Sequence, residues 1–258
     1  MKSDITGKED GSMSRTGRGI AAAAGFCLFL ALVLFVTAAV VYNIAGDSAQ
    51  MAVEMNRHAP PKVSGLPEDQ YVPLAERITG YLTGRQSVFQ FYFTDADGNM
   101  TVCFQAHEAD HMADCRRLIR LAGQLRWYLA GAVLILIVTG FALRKQRKSF
   151  STGMIAGFGA ASVACIAILI WAITNFDSFF TAFHKLFFTN DGWILNSRTD
   201  MLIRLMPTSF FASLGIKVLL GGAAVALAAL SAAVIIRMTG NKEEEKEDEK
   251  STEQAPET

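Results

Sequence analysis

The chain has few side chains of the kinds that do covalent or metal chemistry. Its 258 residues include only four cysteines and four histidines, and 24 lysines and arginines balance 24 aspartates and glutamates. Zero net charge, with no basic face interleaved with aromatics, excludes the electrostatic footprint of a nucleic-acid-binding protein. No serine or cysteine stands near a histidine in a recognisable nucleophile motif, with the single exception of Cys115, four residues after His111. Cys27 and Cys165 lie inside apolar runs and read as small fillers. Cys103 and Cys115 are spaced so that a disulfide is permitted but not required. Asp95, Asp97 and Asn99 open like a calcium loop, but Gly98 comes too early and no glutamate closes it, so the segment reads as a hairpin turn.

Apolar surface is what the chain has in excess. Hydrophobic residues make up 51% of it, and mean hydropathy is +0.28, a composition that uses lipid as part of its solvent. Four windows, 19–43, 127–143, 153–176 and 210–236, approach the roughly 20 residues needed to cross about 30 Å of hydrocarbon. The expected fold class is mainly α, a polytopic membrane protein with four transmembrane helices. The first window is too long for the core of a cleaved signal peptide and reads as an anchor. Arg15 and Arg18 precede it, the run 144–148 separates the second and third windows, and Arg237 and Lys242 follow the fourth. The positive-inside rule places all three groups in the cytoplasm. The resulting order is a cytoplasmic tail (1–18), a four-helix domain (19–237) and an acidic, disordered cytoplasmic tail (238–258). Segments 44–126 and 177–209 fall on the extracytoplasmic side. Arg116, Arg117, Arg120 and Arg126 run against that assignment, being a basic cluster on the outer side.

The outer segments carry a small cap. Residues 44–70 hold loop signals and read as an extended connection, in which His58 is solvated, and 73–83 reads as a short helix. Phe89, Phe91 and Phe93 alternate with polar residues, as do Met100, Val102 and Phe104 beyond the turn, which is the pattern of a β-hairpin. From His107 one long helix runs into the second span, with Trp127 and Tyr128 at headgroup level. Phe176, Phe179, Phe180, Phe183, Phe187 and Phe188 recur at three and four, so 176–188 reads as a helix lying in the interface with His184 on its apolar side. Ser197 and Asp200 have the spacing of a weak capping box for a further short helix.

Two constellations bear chemistry. His107, Glu108 and His111 match the H-E-x-x-H spacing of zinc peptidases, in which two histidines one turn apart bind the metal and the glutamate acts as base. Asp110 inside the motif and the lack of a downstream ligand count against it. The other pairs His111 with His184, each near the outer end of a span; on spacing alone a catalytic dyad and two separately hydrogen-bonded structural histidines are equal readings.

The segments "HMADCRRLI" and "FHKLFFTNDGWILNSRTDMLIRLMPTSFF" resemble the lipoprotein intramolecular transacylase family of bacterial membrane proteins. The resemblance falls on His111 and Asp114, then on Phe183, His184, Phe187, Phe188, Asn190, Asp191, Trp193, Thr199, Asp200 and Pro207, and spans about residues 19–237. Cys115 departs from it, standing where valine is expected. What the resemblance implies is an acyltransferase of the cytoplasmic membrane that acts on a diacylated lipoprotein among phospholipids. The sn-2 acyl chain of a diacylglyceryl-cysteine passes to that cysteine's own α-amino group, leaving the lyso form. The reaction needs no cofactor, because an amide is more stable than the ester it replaces. His184 is the expected base, and His111 or a backbone N–H the oxyanion donor. Asp114 is a candidate to orient an imidazole. Phe183, Phe187, Asn190, Asp191, Trp193 and Asp200 are expected in supporting or substrate-binding positions. A non-catalytic lipid- or lipoprotein-binding membrane protein, with structural histidines, is the reading from a different class.

Overall fold

The computed structural model describes the backbone of residues 6–95 and 98–253, and the side chains of 15–95 and 98–239. The first five residues of the expected N-terminal tail, the tip of the hairpin and the last five residues of the acidic tail lie outside the described residues. Among those described, nine α-helices and one two-stranded sheet occur in the order α1 (Thr6–Gly46), α2 (Ser48–His58), α3 (Pro61–Ser64), α4 (Tyr71–Thr83), β1 (Tyr92–Thr94), β2 (Met100–Val102), α5 (Ala106–Ala142), α6 (Arg147–Thr174), α7 (Phe176–Phe187), α8 (Met201–Leu205) and α9 (Thr208–Glu253). Four of these helices contain stretches long and apolar enough to cross a membrane: Arg15–Gly46, Ala106–Ala142, Arg144–Thr174 and Thr208–Thr239. Large apolar side chains stay exposed along them, such as Ile135 and Phe141 on α5 and Val163 and Ile173 on α6. A helix that uses hydrocarbon as solvent has this character.

The chain divides into two units. One comprises Met1–Phe35, Tyr128–Leu169 and Gly222–Thr258, and the other Val36–Trp127 and Ile170–Gly221. In the first, helices pack through small residues. A Cβ on Gly153 of α6 would stand 1.9 Å from the carbonyl oxygen of Ala22 on α1, and one on Gly25 would stand 2.0 Å from that of Phe150. Glycine on both helices therefore lets the two backbones touch, the arrangement by which helices gain dispersion contacts where lipid supplies no hydrophobic drive. Phe29 and Ala21 fill the space beside this contact together with Met154 and Ala233. Ser151 donates to the carbonyl of Ala233 at 2.6 Å, satisfying a hydroxyl that is wholly buried.

The second unit has a core of its own, built from α2, α4, the hairpin, the start of α5, and α8 with the start of α9. The hairpin pairs Tyr92 with Val102, Phe93 with Thr101 and Thr94 with Met100, and Phe89 stacks on Phe104 at 4.5 Å beneath it. Residues 44–70 are not the extended connection that their polar composition suggests. Asp47 accepts from the Gln50 N–H and starts α2, whose Met51, Ala52 and Met55 are buried at helical spacing. Nor is His58 solvated. It lies 3.3 Å from Glu54, a buried carboxylate that also accepts from Arg57 and from Lys217 at 3.0 Å and from Ser213 at 2.9 Å. Burial alone would raise the Glu54 carboxyl, but Lys217 and Ser213 outweigh it and hold the group below its ordinary value.

Two further expectations change. Ser197 caps nothing, and α8 starts at Met201 with Asp200 at the N-cap position but using its carboxylate elsewhere. The acidic segment expected to be disordered continues α9 as far as Glu253; its glutamates and lysines are strong helix formers on the end of a helix already nucleated. The backbone contact at Gly153 sets a test: Gly153→Ala lowers stability by about 3 kcal/mol through overpacking. Gly159→Ala, which meets nothing within 4 Å, leaves the unfolding temperature in detergent unchanged.

Candidate active site

Helix α7 is short, and its two faces differ in character. Asn175 caps it by accepting from the Ser178 N–H at 3.0 Å, and its phenylalanines then recur on one side. His184, on that side, is 5% exposed. Its ring is enclosed by aromatic neighbours, with Phe180 at 4.1 Å between centroids, Trp193 at 4.8 Å, Phe183 at 5.4 Å and Phe188 at 5.5 Å. Nδ1 lies 2.7 Å from the Phe180 carbonyl oxygen, one turn back. A carbonyl can only accept, so Nδ1 carries the proton and Nε2 is left with its lone pair. Burial disfavours the imidazolium and, against the opposite pull of that carbonyl, holds His184 below the ordinary histidine value. The result is a neutral imidazole of one tautomer, with its basic nitrogen free of any hydrogen bond from the described residues.

His111, on α5, faces this ring at 6.0 Å between centroids, with Phe188 packed at 5.2 Å against it. It is 7% exposed. Its Nε2 lies 3.5 Å from the Cys115 sulfur one turn on, while Nδ1 is buried with no partner among the described residues. Both histidines line a cavity of about 290 Å³ whose other walls are mostly apolar, including Phe180, Ile119, Met206 and Leu214. The two histidines that spacing alone left undecided are thus brought together, 73 positions apart in the chain, in a pocket of greasy walls.

A network behind the pocket holds the loop that carries Trp193. Asp114 accepts from Asn190 at 2.7 Å and from Arg117. Each carboxylate oxygen thus has a donor, and neither donor is an imidazole. Asn190 in turn accepts from the Gly192 N–H at 3.0 Å, folding 190–193 so that the indole lies on His184. Asp200 is buried and accepts from His107 at 3.0 Å, from Thr199 at 2.6 Å and from the Asn196 N–H at 2.8 Å. Burial would raise its carboxyl, but these bonds hold it below the ordinary carboxylate value. Phe183 lines the cavity, whereas Phe187 packs on Phe183 at 4.8 Å and stays half exposed outside it. Asp191 is exposed and contributes its backbone carbonyl to a turn, accepting from the Ile194 N–H at 3.0 Å.

The zinc-peptidase spacing has a different use. His107 faces Asp200, His111 faces the cavity, and Glu108 lies fully buried between them. One Glu108 oxygen accepts from the Gln105 N–H at 2.7 Å and the other from the Leu202 N–H at 2.7 Å. A single carboxylate thereby caps two helix starts, α5 and α8, and ties them together. Among the described residues no three histidine, cysteine, aspartate or glutamate side chains are grouped to hold a metal ion. Cys103 and Cys115 are free thiols. Burial, and after it the charge of Glu108, pushes Cys103 up to about 12, which leaves it a small apolar core residue. Sequence reasoning missed the Glu54–Lys217 pair, for which the one signal was a lysine inside the fourth apolar window.

Three comparisons bear on this site. A family model described as lipoprotein intramolecular transacylase Lit matches residues 23–211. The solved structure of the membrane-integral lipoprotein intramolecular transacylase Lit from Bacillus cereus shares the fold, with a TM-score of 0.64 at 18% identity, over 90% of this chain and 99% of that one. A histidine-to-arginine variant of the same Bacillus cereus protein matches with a TM-score of 0.63 at 17% identity, over 92% and 100% of the two chains. No curated protein sequence matches. The double cap gives a test of the site's scaffold: Glu108→Ala leaves two buried N–H groups unpaired and costs roughly 2 to 4 kcal/mol. Thermal unfolding of the purified variant reads that loss, and an unchanged midpoint contradicts the double cap.

Proposed function

The chain belongs to the lipoprotein intramolecular transacylase family, a membrane-integral family of acyltransferases, and from that premise we propose that it moves an acyl chain within a diacylated lipoprotein. The donor is the sn-2 ester of the diacylglyceryl-cysteine and the acceptor is the α-amino group of that cysteine. The observation that carries this reading is the facing pair of His184 and His111 in an apolar pocket, with a free basic nitrogen on His184.

The chemistry follows from the parts. An α-amino group has a pKa of about 7.7–8.0, so a fraction is neutral near pH 7 and able to attack. Attack on the ester carbonyl forms the C–N bond and places negative charge on the carbonyl oxygen. As that bond forms the nitrogen becomes acidic, and His184 Nε2 takes its proton. The imidazolium then delivers the same proton to the departing glyceryl oxygen as the C–O bond breaks, so the base is regenerated. Burial among aromatic rings makes the imidazolium a strong acid for this second step. His111 is assigned the oxyanion. If its Nε2 accepts from the Cys115 thiol, its single proton sits on Nδ1, the buried nitrogen that lacks a protein partner. Ester and amine belong to one molecule, which already supplies much of the proximity.

Phe183 and Phe188 and the aliphatic walls receive the acyl chains, while Trp193, Asn190, Asp114 and Asp200 hold the pocket's outer loop in place. The positive-inside argument supports cytoplasmic termini and a pocket that opens to the outer leaflet, where the lipidated N-terminus of a lipoprotein resides. A cytoplasmic-membrane location among phospholipids, with no nucleic-acid partner, belongs to the same reading. Expression in a host that makes diacylated lipoproteins tests it by mass spectrometry of the lipopeptide N-terminus. The wild-type chain yields the N-acyl, S-monoacylglyceryl form. His184→Ala, if still folded by its unfolding midpoint, lowers the yield at least about a hundredfold, the scale of a lost general base. A variant that still converts its substrate fully removes His184 from the mechanism.

A further inference from the structure

The basic cluster that runs against the positive-inside rule has a local geometry of its own. Arg116 and Arg120 are one helical turn apart on α5 and both reach the end of α4, where Gly84 closes the helix in the left-handed conformation. At the Cβ position that Gly84 lacks, Nη2 of Arg116 is 3.8 Å away and Nε of Arg120 is 4.0 Å away. Two guanidinium groups therefore converge on one point. Arg85, next to Gly84 in the chain, brings a further positive charge to the end of α4, its guanidinium held by the carbonyl of Gly46 at 3.0 Å and by Thr83 at 3.1 Å.

No carboxylate answers this charge among the described residues. Among the described residues Arg116 meets the face of Tyr81, 4.6 Å from its guanidinium carbon, and its buried Nε has no partner. The end of α4 does not account for the arrangement either. Two of its closing carbonyls are already taken, Tyr81 by the Gly84 N–H at 3.0 Å and Gly80 by the Gln86 N–H at 2.9 Å, and no arginine donates to the other two among the described residues. The residual helix dipole amounts to about half a negative charge, against two or three full positive ones. Like charges brought together without a counter-charge are unfavourable unless an anion joins them. Arg117, by contrast, is paired with Asp114 and stands apart from the group.

We propose that Arg116 and Arg120, with Arg85 beside them, bind the phosphate of an anionic phospholipid in the outer leaflet. A phosphodiester presents oxygens that accept from guanidinium forks in the geometry arginine favours. The depth suits a lipid rather than a soluble anion. Arg120 precedes Trp127 by seven residues on the same helix and Arg116 by eleven, roughly 10 and 16 Å, and Trp127, largely exposed, is of the residue type that gathers at headgroup level. The substrate of the acyl transfer carries no phosphate at its glyceryl group, so this is a second lipid site, distinct from the cavity and independent of the reaction assigned to it.

Purified protein in neutral detergent, titrated separately with phosphatidylglycerol and phosphatidylcholine, tests the site by native mass spectrometry of retained lipid and by thermal shift. The wild-type chain retains phosphatidylglycerol at roughly tenfold lower concentration than phosphatidylcholine, the scale expected of two arginines at a lipid surface. Arg116→Gln with Arg120→Gln removes that preference, and Arg116→Lys with Arg120→Lys keeps part of it, which separates loss of charge from loss of fold. Equal retention of both lipids, or an unchanged preference in the glutamine variant, overturns the proposal. So does stabilisation to the same extent by inorganic phosphate or by an acidic peptide, which would assign the cluster to a soluble anion or a protein partner.

Discussion

One hydrogen bond, from Nδ1 of His184 to the carbonyl of Phe180, decides what the pocket is able to do. Without it the ring would be an apolar-packed histidine of either tautomer. With it the basic nitrogen is Nε2, the ring is neutral, and the aromatic enclosure keeps it so. The enclosure and the bond have a common origin in the sequence. Phenylalanines at three- and four-residue spacing make α7 amphipathic, and a histidine placed one turn after Phe180 reaches that residue's carbonyl from within the apolar face.

The rest of the unit formed by Val36–Trp127 and Ile170–Gly221 positions a second histidine and a loop against this ring. Three carboxylates do most of that, and none of them touches the cavity. Glu108 joins the starts of α5 and α8, Asp114 joins α5 to Asn190, and Asp200 gathers His107, Thr199 and the Asn196 N–H. Each buried or half-buried acid has its oxygens occupied, so the polar groups stay satisfied around an apolar pocket. The cavity's polar side chains are few: the two histidines, Cys115, Thr208 and the indole of Trp193. An acyl chain loses little by entering such a space, while a proton has only two imidazoles to visit.

The sequence was informative where the signal is local. Long apolar windows and alternating phenylalanines are periodicities of one element, and the four long helices, the hairpin and α7 occur where these patterns lie. In the sequence α2 reads as loop because its polar surface and the nearby Pro60 and Pro61 outweigh Met51, Ala52 and Met55, whose burial depends on partners distant in the chain. Glu108 is the sharper case. Its letters fit a zinc motif, yet its second partner, the Leu202 N–H, is 94 residues away, and no local rule reveals it. Asp200 was assigned to a cap for a similar reason, since its spacing from Ser197 is local while its bond to His107 is not. His111 and His184 are a candidate pair from their places near the ends of spans, but spacing leaves a dyad and two separate structural histidines equal, and resemblance to a family is what decides between them.

The charge state and tautomer of His184 are the centre of this account. Selective ¹⁵N-histidine labelling and NMR of the detergent-solubilised protein, titrated from pH 8 downward, read both directly. The account predicts that the His184 signals keep the pattern of a ring protonated at Nδ1 and bare at Nε2 as pH falls through about 6.5, the ordinary histidine value, and change only below it. Protonation at or above that value, or a proton on Nε2 in the neutral ring, would contradict it.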